Sequence, residues 1–207
     1  TLIGGLGADT LDGGTGTNTA SYSTSATGVT VHTASTEQSL NAGGAAGDKF
    51  THIAHLTGSA SFENKLYGDA KDNLLTGGAL NDTLVGGAGK DTLVGGGGTD
   101  LVSYEDADDG QGVNLSLVTG GVSGNAAGDQ YSSIEHVDGT AFDDQITGNE
   151  TANHLKGLAG NDVLITRDVA YAETQRIVAQ GGEGDDVVQA MGVYGTVQVE
   201  GGAGNDW

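Results

Sequence analysis

Asp82, Asp91 and Asp100 recur at nine-residue intervals, each sixth in a unit that opens on glycine: GGALNDTLV, GGAGKDTLV and GGGGTDLVS, beginning at Gly77, Gly86 and Gly95. Carboxylates at so regular a spacing, preceded by glycines, suit one kind of chemistry. Glycine at the first, second and fourth positions lets the backbone take positive φ and bring its carbonyls close together. Hard cations want that arrangement, because Ca²⁺ takes six to eight oxygens from carboxylates and backbone carbonyls. Stacked aspartates with no cation between them would repel, so the pattern predicts bound Ca²⁺ ions.

The elements that must position these groups follow from the same spacing. Each unit divides into a six-residue turn and a three-residue strand with a large apolar residue eighth: Leu84, Leu93 and Val102. A chain that turns every nine residues reverses direction twice per coil, so turns 18 residues apart stack on one side. The predicted ligand pairs are Asn73 with Asp91, Asp82 with Asp100, and Asp144 with Asp162, with carbonyls of Gly77, Gly78, Gly86, Gly87, Gly95 and Gly96 completing the cages.

Further copies run along the chain. Gly4 and Gly5 open a unit with Asp9 sixth, and the next unit places Asn18 there. Units opening at Gly68, Gly139, Gly148 and Gly157 put Asn73, Asp144, Asn153 and Asp162 sixth, with Leu75, Ile146, Leu155 and Leu164 eighth. Isolated turns at Gly181-Gly182 and Gly201-Gly202 supply Asp186 and Asp206; these two and Asp9 are expected to pair with irregular segments or beyond the sequence. Departures predict weaker or missing sites: Asn18, Asn73 and Asn153 replace aspartate, Leu80 the fourth glycine, and Asp69 and Asn149 the second.

A longer period overlies the short one. GGTGTNTASY at 13–22 corresponds to GGGGTDLVSY at 95–104, and both copies continue through a Gly-Val pair (Gly28, Gly112), a Gly-Asp pair (Gly47-Asp48, Gly128-Asp129) and an Ile-x-His element (Ile53 to His55, Ile134 to His136). The chain therefore reads as nonapeptide coils at 1–21, an interrupting segment at 22–57, coils at 58–103, a second interrupting segment at 104–138, coils at 139–165 and a divergent solenoid at 166–207 with isolated calcium turns.

These nonapeptides resemble the repeats-in-toxin (RTX) family of hemolysin-type calcium-binding repeats. The interrupted pattern is similar to the multi-block RTX region of adenylate cyclase toxin and of large type I-secreted exoproteins. The resemblance implies an all-β fold, a right-handed parallel β-roll or β-helix solenoid with Ca²⁺ between its turns, and folding after export through a type I secretion channel.

Composition agrees with an ion-dependent scaffold. Of 207 residues 39 are glycine, and 28 acids against seven Lys and Arg give a formal charge of −21, a balance that without an ion predicts a self-repelling, disordered chain. The periodic apolar residues can nevertheless be buried as ladders once coils stack. Strong negative charge argues against nucleic acid as a partner. No apolar run approaches the ~18 residues of a membrane span, no amino-terminal signal segment is visible, and no oligomerisation surface stands out. The absence of cysteine fits a secreted protein held without disulfides. The opening on Thr1 rather than Met reads as a piece of a longer array.

Other motifs are outweighed by simpler readings. His52 and His55 could hold a metal, but Ser133 replaces His52 in the second copy, and zinc sites need more ligands. Lys90 follows glycine without the spacing of a phosphate loop, and neither His-Glu-x-x-His nor Gly-x-Ser-x-Gly occurs. Sequons at Asn81, Asn114 and Asn149 carry no weight in so Asn- and Thr-rich a chain. Glu105, Asp106, Asp108 and Asp109 read as a solvated loop, and Tyr22 and Tyr104 as apolar plugs ending a ladder.

The expectation is a non-enzymatic calcium-binding module of a secreted or cell-surface bacterial protein, disordered at low Ca²⁺ and folding outside the cell after type I secretion. The alternatives are a rigid adhesin or surface-layer segment whose interrupting segments bind a partner, or the carboxyl-terminal secretion and folding domain of an exoenzyme.

Overall fold

The computed structural model describes residues 1–107, 109–167, 176–191 and 196–207. Among these residues there is no α-helix; short strands alternate with glycine turns, and 3-10 turns occur at Gln38–Leu40 and Gly124–Ala126. Two compact units divide the chain: Thr1–Leu101 with Ser132–Ile134, and Val102–Tyr131 with Glu135–Trp207.

In the first unit, strands fall alternately into two parallel sheets, as a chain reversing every nine residues requires. One sheet runs Thr92–Gly96, Leu74–Gly78, His55–Thr57, Thr19–Ser21. The other runs Thr83–Val85, Lys65–Tyr67, Val29–His32, and ends in an antiparallel partner, Ala42–Gly43. Thr10–Asp12 pairs in parallel with Lys49–Thr51. Side chains alternate across a strand, so the eighth-position residue points inward. Leu56, Leu75 and Leu93 stand in register in one sheet, Val31, Leu66 and Leu84 in the other, and none is more than 1% exposed. Each buried leucine contributes about 1.5–3 kcal/mol. A lone coil offers too few of them to fold, which is why the coils must stack.

The second unit repeats the plan. One sheet runs Asn114–Ser116, Gln145–Thr147, Val163–Arg167, Val187–Met191, with Gly120–Ser123 antiparallel at its edge. The other runs His136–Asp138, His154–Ala159, Arg176–Glu183, Thr196–Ala203. Its inward ladders are Leu115, Ile146, Leu164 and Val188, and Val137, Leu155, Ala179 and Val199; they are buried except toward the last coil, where Val199 is 51% exposed. The architecture in both units is that of a parallel β-roll solenoid.

The structure shows what the interrupting segments are. Segment 22–57 supplies Val29–His32, Lys49–Thr51 and His55–Thr57 to the sheets, and segment 104–138 supplies Asn114–Ser116 and His136–Asp138. They are enlarged coils of the roll, each carrying a short antiparallel hairpin and a 3-10 turn. The described residues of the tract 166–207, read from sequence as divergent, continue the same two sheets. Leu158, at a second position where the pattern wants glycine, takes φ 84°, the left-handed region that Gly87 and Gly96 occupy at equivalent places.

Candidate metal centre

The sixth-position aspartates lie inside the turns. Asp82, Asp91, Asp100, Asp144, Asp162 and Asp186 are 0–2% exposed, although nothing apolar requires a carboxylate there. Their Oδ1 atoms form a ladder. Asp100 accepts the backbone N–H of Asp82 at 2.8 Å, Asp91 that of Asn73 at 2.8 Å, and Asp162 that of Asp144 at 2.8 Å, each across 18 residues. These are the three pairs the spacing predicts.

The ladder extends further than expected. Asp186 accepts the N–H of Asp162 at 2.8 Å across 24 residues, and Asp206 that of Asp186 at 3.2 Å across 20. The expectation that these two aspartates pair with irregular segments or beyond the sequence is therefore corrected: the strands on either side keep register, so the turns still stack although the steps are 24 and 20 residues. Asp9 behaves as predicted, its N–H meeting Asp48 Oδ1 of the first interrupting segment at 2.8 Å.

The second carboxylate oxygen faces the opening glycine of its own turn. A Cβ added to Gly77 would lie 2.3 Å from Asp82 Oδ2 and 2.7 Å from the carbonyl oxygen of Gly95, one coil on. At Gly139 the distances are 2.1 Å to Asp144 Oδ2 and 2.9 Å to Gly157 O; at Gly181 they are 2.1 Å to Asp186 Oδ2 and 2.5 Å to Gly201 O. Gly4, Gly86, Gly95, Gly157 and Gly201 face Asp9, Asp91, Asp100, Asp162 and Asp206 in the same way. Each first glycine thus leaves a space lined by a carboxylate oxygen, joined at Gly77, Gly139 and Gly181 by a carbonyl of the following coil. The second glycines Gly5, Gly87, Gly96, Gly182 and Gly202 take φ between 93° and 126°, which brings the backbone round the turn; Gly78 instead offers its carbonyl to the N–H of Gly97 at 3.1 Å.

Oδ2 of Asp9, Asp82, Asp162 and Asp186 is buried with no hydrogen-bond partner. A buried unpaired carboxylate oxygen costs several kcal/mol unless something cationic meets it. Burial accordingly raises the carboxyls of Asp82 and Asp144 above the usual range and pushes Asp162 up to about 7, with the charges of Asp144, Asp186 and Asp143 adding to it. Hard anionic and carbonyl oxygens, closely spaced and short of a positive partner, fit Ca²⁺. Among the described residues no three His, Cys, Asp or Glu side chains gather as a cluster that could hold a metal ion.

Three predicted ligands fit less well. Asp144 accepts the Thr140 N–H on Oδ2 at 2.6 Å, and the Val113 N–H and Thr140 hydroxyl on Oδ1 at 2.7 and 2.9 Å. Asn73 accepts the Asp69 N–H at 2.7 Å and donates to Ala54 O at 3.0 Å; Asn153 accepts the Asn149 N–H at 2.9 Å and donates to Glu135 O at 3.3 Å. Their amides supply both acceptor and donor within the protein, so these residues act as uncharged plugs. Asn18 likewise bonds carbonyls of its own turn.

Several residues went unread in the sequence. Asn64, 2% exposed, donates its backbone N–H to Asp82 Oδ1 at 2.7 Å and its amide at 2.8 Å; the 18-residue offset was the available signal. Fifth-position residues make an exposed ladder of opposite sense. Asp143 accepts the N–H of Asn161, Asn161 that of Asp185, and Asp185 that of Asn205, all at 2.8–2.9 Å. Tyr22 and Tyr104 are buried as predicted, but their hydroxyls donate to Asp48 and Asp129 rather than serving as plain apolar plugs.

The remaining motifs are structural. His52 pairs with Asp12 at 2.8 Å on the surface, and it shares left-handed φ with its counterpart Ser133. The His136 ring meets His154 edge-on at 5.1 Å. Glu105, Asp106 and Asp109 are exposed, and Asp108 lies outside the described residues.

No curated protein matches the chain. The family model of the RTX calcium-binding nonapeptide repeat matches it four times, at residues 1–20, 67–102, 76–109 and 133–168. Repeats of this kind bind calcium and are typical of secreted proteins. The matches cover the carboxylate-lined turns of Asp9, Asp82, Asp91, Asp100, Asp144 and Asp162, while those of Asp186 and Asp206 lie outside them, and the chain belongs to the RTX calcium-binding nonapeptide-repeat family.

Proposed function

We propose that this chain is a calcium-folded structural module of a secreted or surface-attached bacterial protein, carrying no catalytic site of its own and exported with its full-length protein through a type I secretion channel. The observation that supports this most directly is the set of buried carboxylate oxygens at Asp9, Asp82, Asp162 and Asp186 that accept nothing from the protein. When bound, Ca²⁺ supplies positive charge to these oxygens and to the carbonyls beside them. The chain's own residues do the rest. The first glycines keep the space open, Oδ1 of each sixth-position aspartate fixes the coil before it, and the eighth-position residues bury the ladder between the sheets.

Where calcium is scarce, 28 acids against seven bases keep the coils apart and the chain extended. Where it is plentiful, binding and folding become one equilibrium. The test is far-ultraviolet circular dichroism during a Ca²⁺ titration to about 10 mM, with Mg²⁺ as control, since extracellular sites bind as weakly as ~10⁻³ M. A Ca²⁺-specific coil-to-β transition is expected. Full β structure in chelator, unchanged by Ca²⁺, would refute the coupling.

A further inference from the structure

Asp48 and Asp129 are the most deeply buried acids of the two enlarged coils, each at 0% exposure, and neither sits in a matched nonapeptide turn. They occupy corresponding places in the duplication, after Gly47 and Gly128. Their surroundings differ from those of the other buried aspartates in two respects.

The first is the second carboxylate oxygen. Asp48 Oδ1 accepts the backbone N–H of Asp9 at 2.8 Å, as a ladder aspartate should, but its Oδ2 accepts the hydroxyl of Tyr22 at 2.5 Å. Asp129 Oδ2 accepts the hydroxyl of Tyr104 at 2.7 Å, with the Tyr131 hydroxyl 2.6 Å from that of Tyr104. Both tyrosines are buried, at 5% and 3% exposure. Burial above all, reinforced by the neighbouring carboxylates, holds both hydroxyls well above their usual range, so they remain protonated donors.

The second is the glycine space. In the nonapeptide turns a Cβ on the first glycine would strike the turn's own aspartate. In the enlarged coils the glycine five residues before the aspartate faces backbone instead: a Cβ on Gly43 would meet Gly28 O at 1.9 Å, and one on Gly124 would meet Gly112 O at 2.6 Å. No carboxylate oxygen is among the three atoms nearest either position.

We propose that Tyr22–Asp48 and Tyr104–Asp129 are metal-free latches in an otherwise metal-held roll: in each enlarged coil the tyrosine hydroxyl satisfies the buried aspartate, and backbone rather than a carboxylate oxygen lies nearest the glycine at the place where a nonapeptide turn would hold its ion. The inference rests on the calcium reading above and deepens it. It separates Asp9, Asp82, Asp162 and Asp186, whose orphaned oxygen calls for a cation, from Asp48 and Asp129, whose oxygen meets a tyrosine; Asp144 belongs to neither group, its Oδ2 accepting the Thr140 N–H at 2.6 Å. The duplication then combines ion-held coils with coils closed by a tyrosine hydroxyl.

The experiment counts calcium ions per chain by equilibrium dialysis at saturating Ca²⁺, with β content checked by circular dichroism, for the whole 207-residue chain and its variants. Asp82→Asn is the reference and loses at least one ion. Asp48→Asn and Asp129→Asn keep the wild-type count, because an amide oxygen still accepts the ladder N–H and its nitrogen can face the tyrosine oxygen. Tyr22→Phe and Tyr104→Phe remove only a hydroxyl; they keep the count but lower the urea midpoint at saturating Ca²⁺. Loss of an ion in Asp48→Asn or Asp129→Asn overturns the latch, as do phenylalanine variants as stable as the parent. If Asp82→Asn also keeps every ion, the calcium reading itself fails, a distinct result.

Discussion

Replacing Asp162 by asparagine separates a carboxylate that holds an ion from one that merely accepts a hydrogen bond. The side chain is 1% exposed, and its Oδ1 takes the Asp144 N–H at 2.8 Å, a contact that an amide oxygen preserves. What asparagine removes is the charge. Without an ion the carboxyl is held at about 7, chiefly by burial, against an ordinary 3.8. Ionising it at pH 8 therefore costs the fold up to about 4 kcal/mol, or about 2 kcal/mol once water entering an ion-free turn is taken into account. Asparagine carries no such cost. With calcium present the order of effects reverses: a lost site forfeits about 1.4–2.7 kcal/mol at 10 mM for dissociation constants of order 10⁻³–10⁻⁴ M. Circular dichroism at pH 8 should show more β structure than wild type in chelator and a shallower rise as Ca²⁺ is added. A variant that is less folded by the same amount with and without Ca²⁺ would refute the reasoning, since the carboxylate would then act only as an acceptor.

Gly157→Ala places a Cβ 1.9 Å from Asp162 Oδ2, whereas Gly97→Ala meets nothing nearer than 3.7 Å. Displacing the carboxylate sacrifices a charged hydrogen bond of about 1.5–3 kcal/mol, so the first variant should raise the calcium midpoint roughly ten- to a hundredfold and the second leave it nearly unchanged; equal midpoints would count against the glycine space. In chelator, acid should partly replace calcium. Because Asp162 is raised in the fold, the stability gained by keeping its proton is complete below the unfolded value of 3.8 and lost as pH rises through about 7. Residual β structure should therefore fall between pH 5 and 8, and a flat profile would contradict the assigned cause.

Much of the architecture was legible because two periods coincide. Nine-residue spacing carries both the glycine that turns the chain and the leucine that fills the roll, so Asp82 over Asp100 follows from counting. Counting failed where coil length changes. Asp162 and Asp186 stack across 24 residues, and nothing in a fixed period announces that longer step. The latch aspartates were hidden for another reason. Asp48 is recognised by what its second oxygen meets, and Tyr22 lies 26 residues earlier, at a distance no local pattern encodes. Asn73 and Asn153 show the converse: their positions are right for ligands, but a neutral amide finds its partners within the protein and has little left for an ion.

Coils of 18, 24 and 20 residues share one ladder, running from Asp144 through Asp162 and Asp186 to Asp206. What is fixed in space is therefore a small frame, one sixth-position aspartate or asparagine and one inward apolar side chain per half-coil, while the length of chain between frames varies. Parallel strands stand about 4.8 Å apart, so the roll works as a ruler on which loops of unequal size can be mounted at equal intervals. Sequence can be added to or cut from a loop without disturbing the markings, and the hairpins at Ala42–Gly43 and Gly120–Ser123 are two such mounted loops.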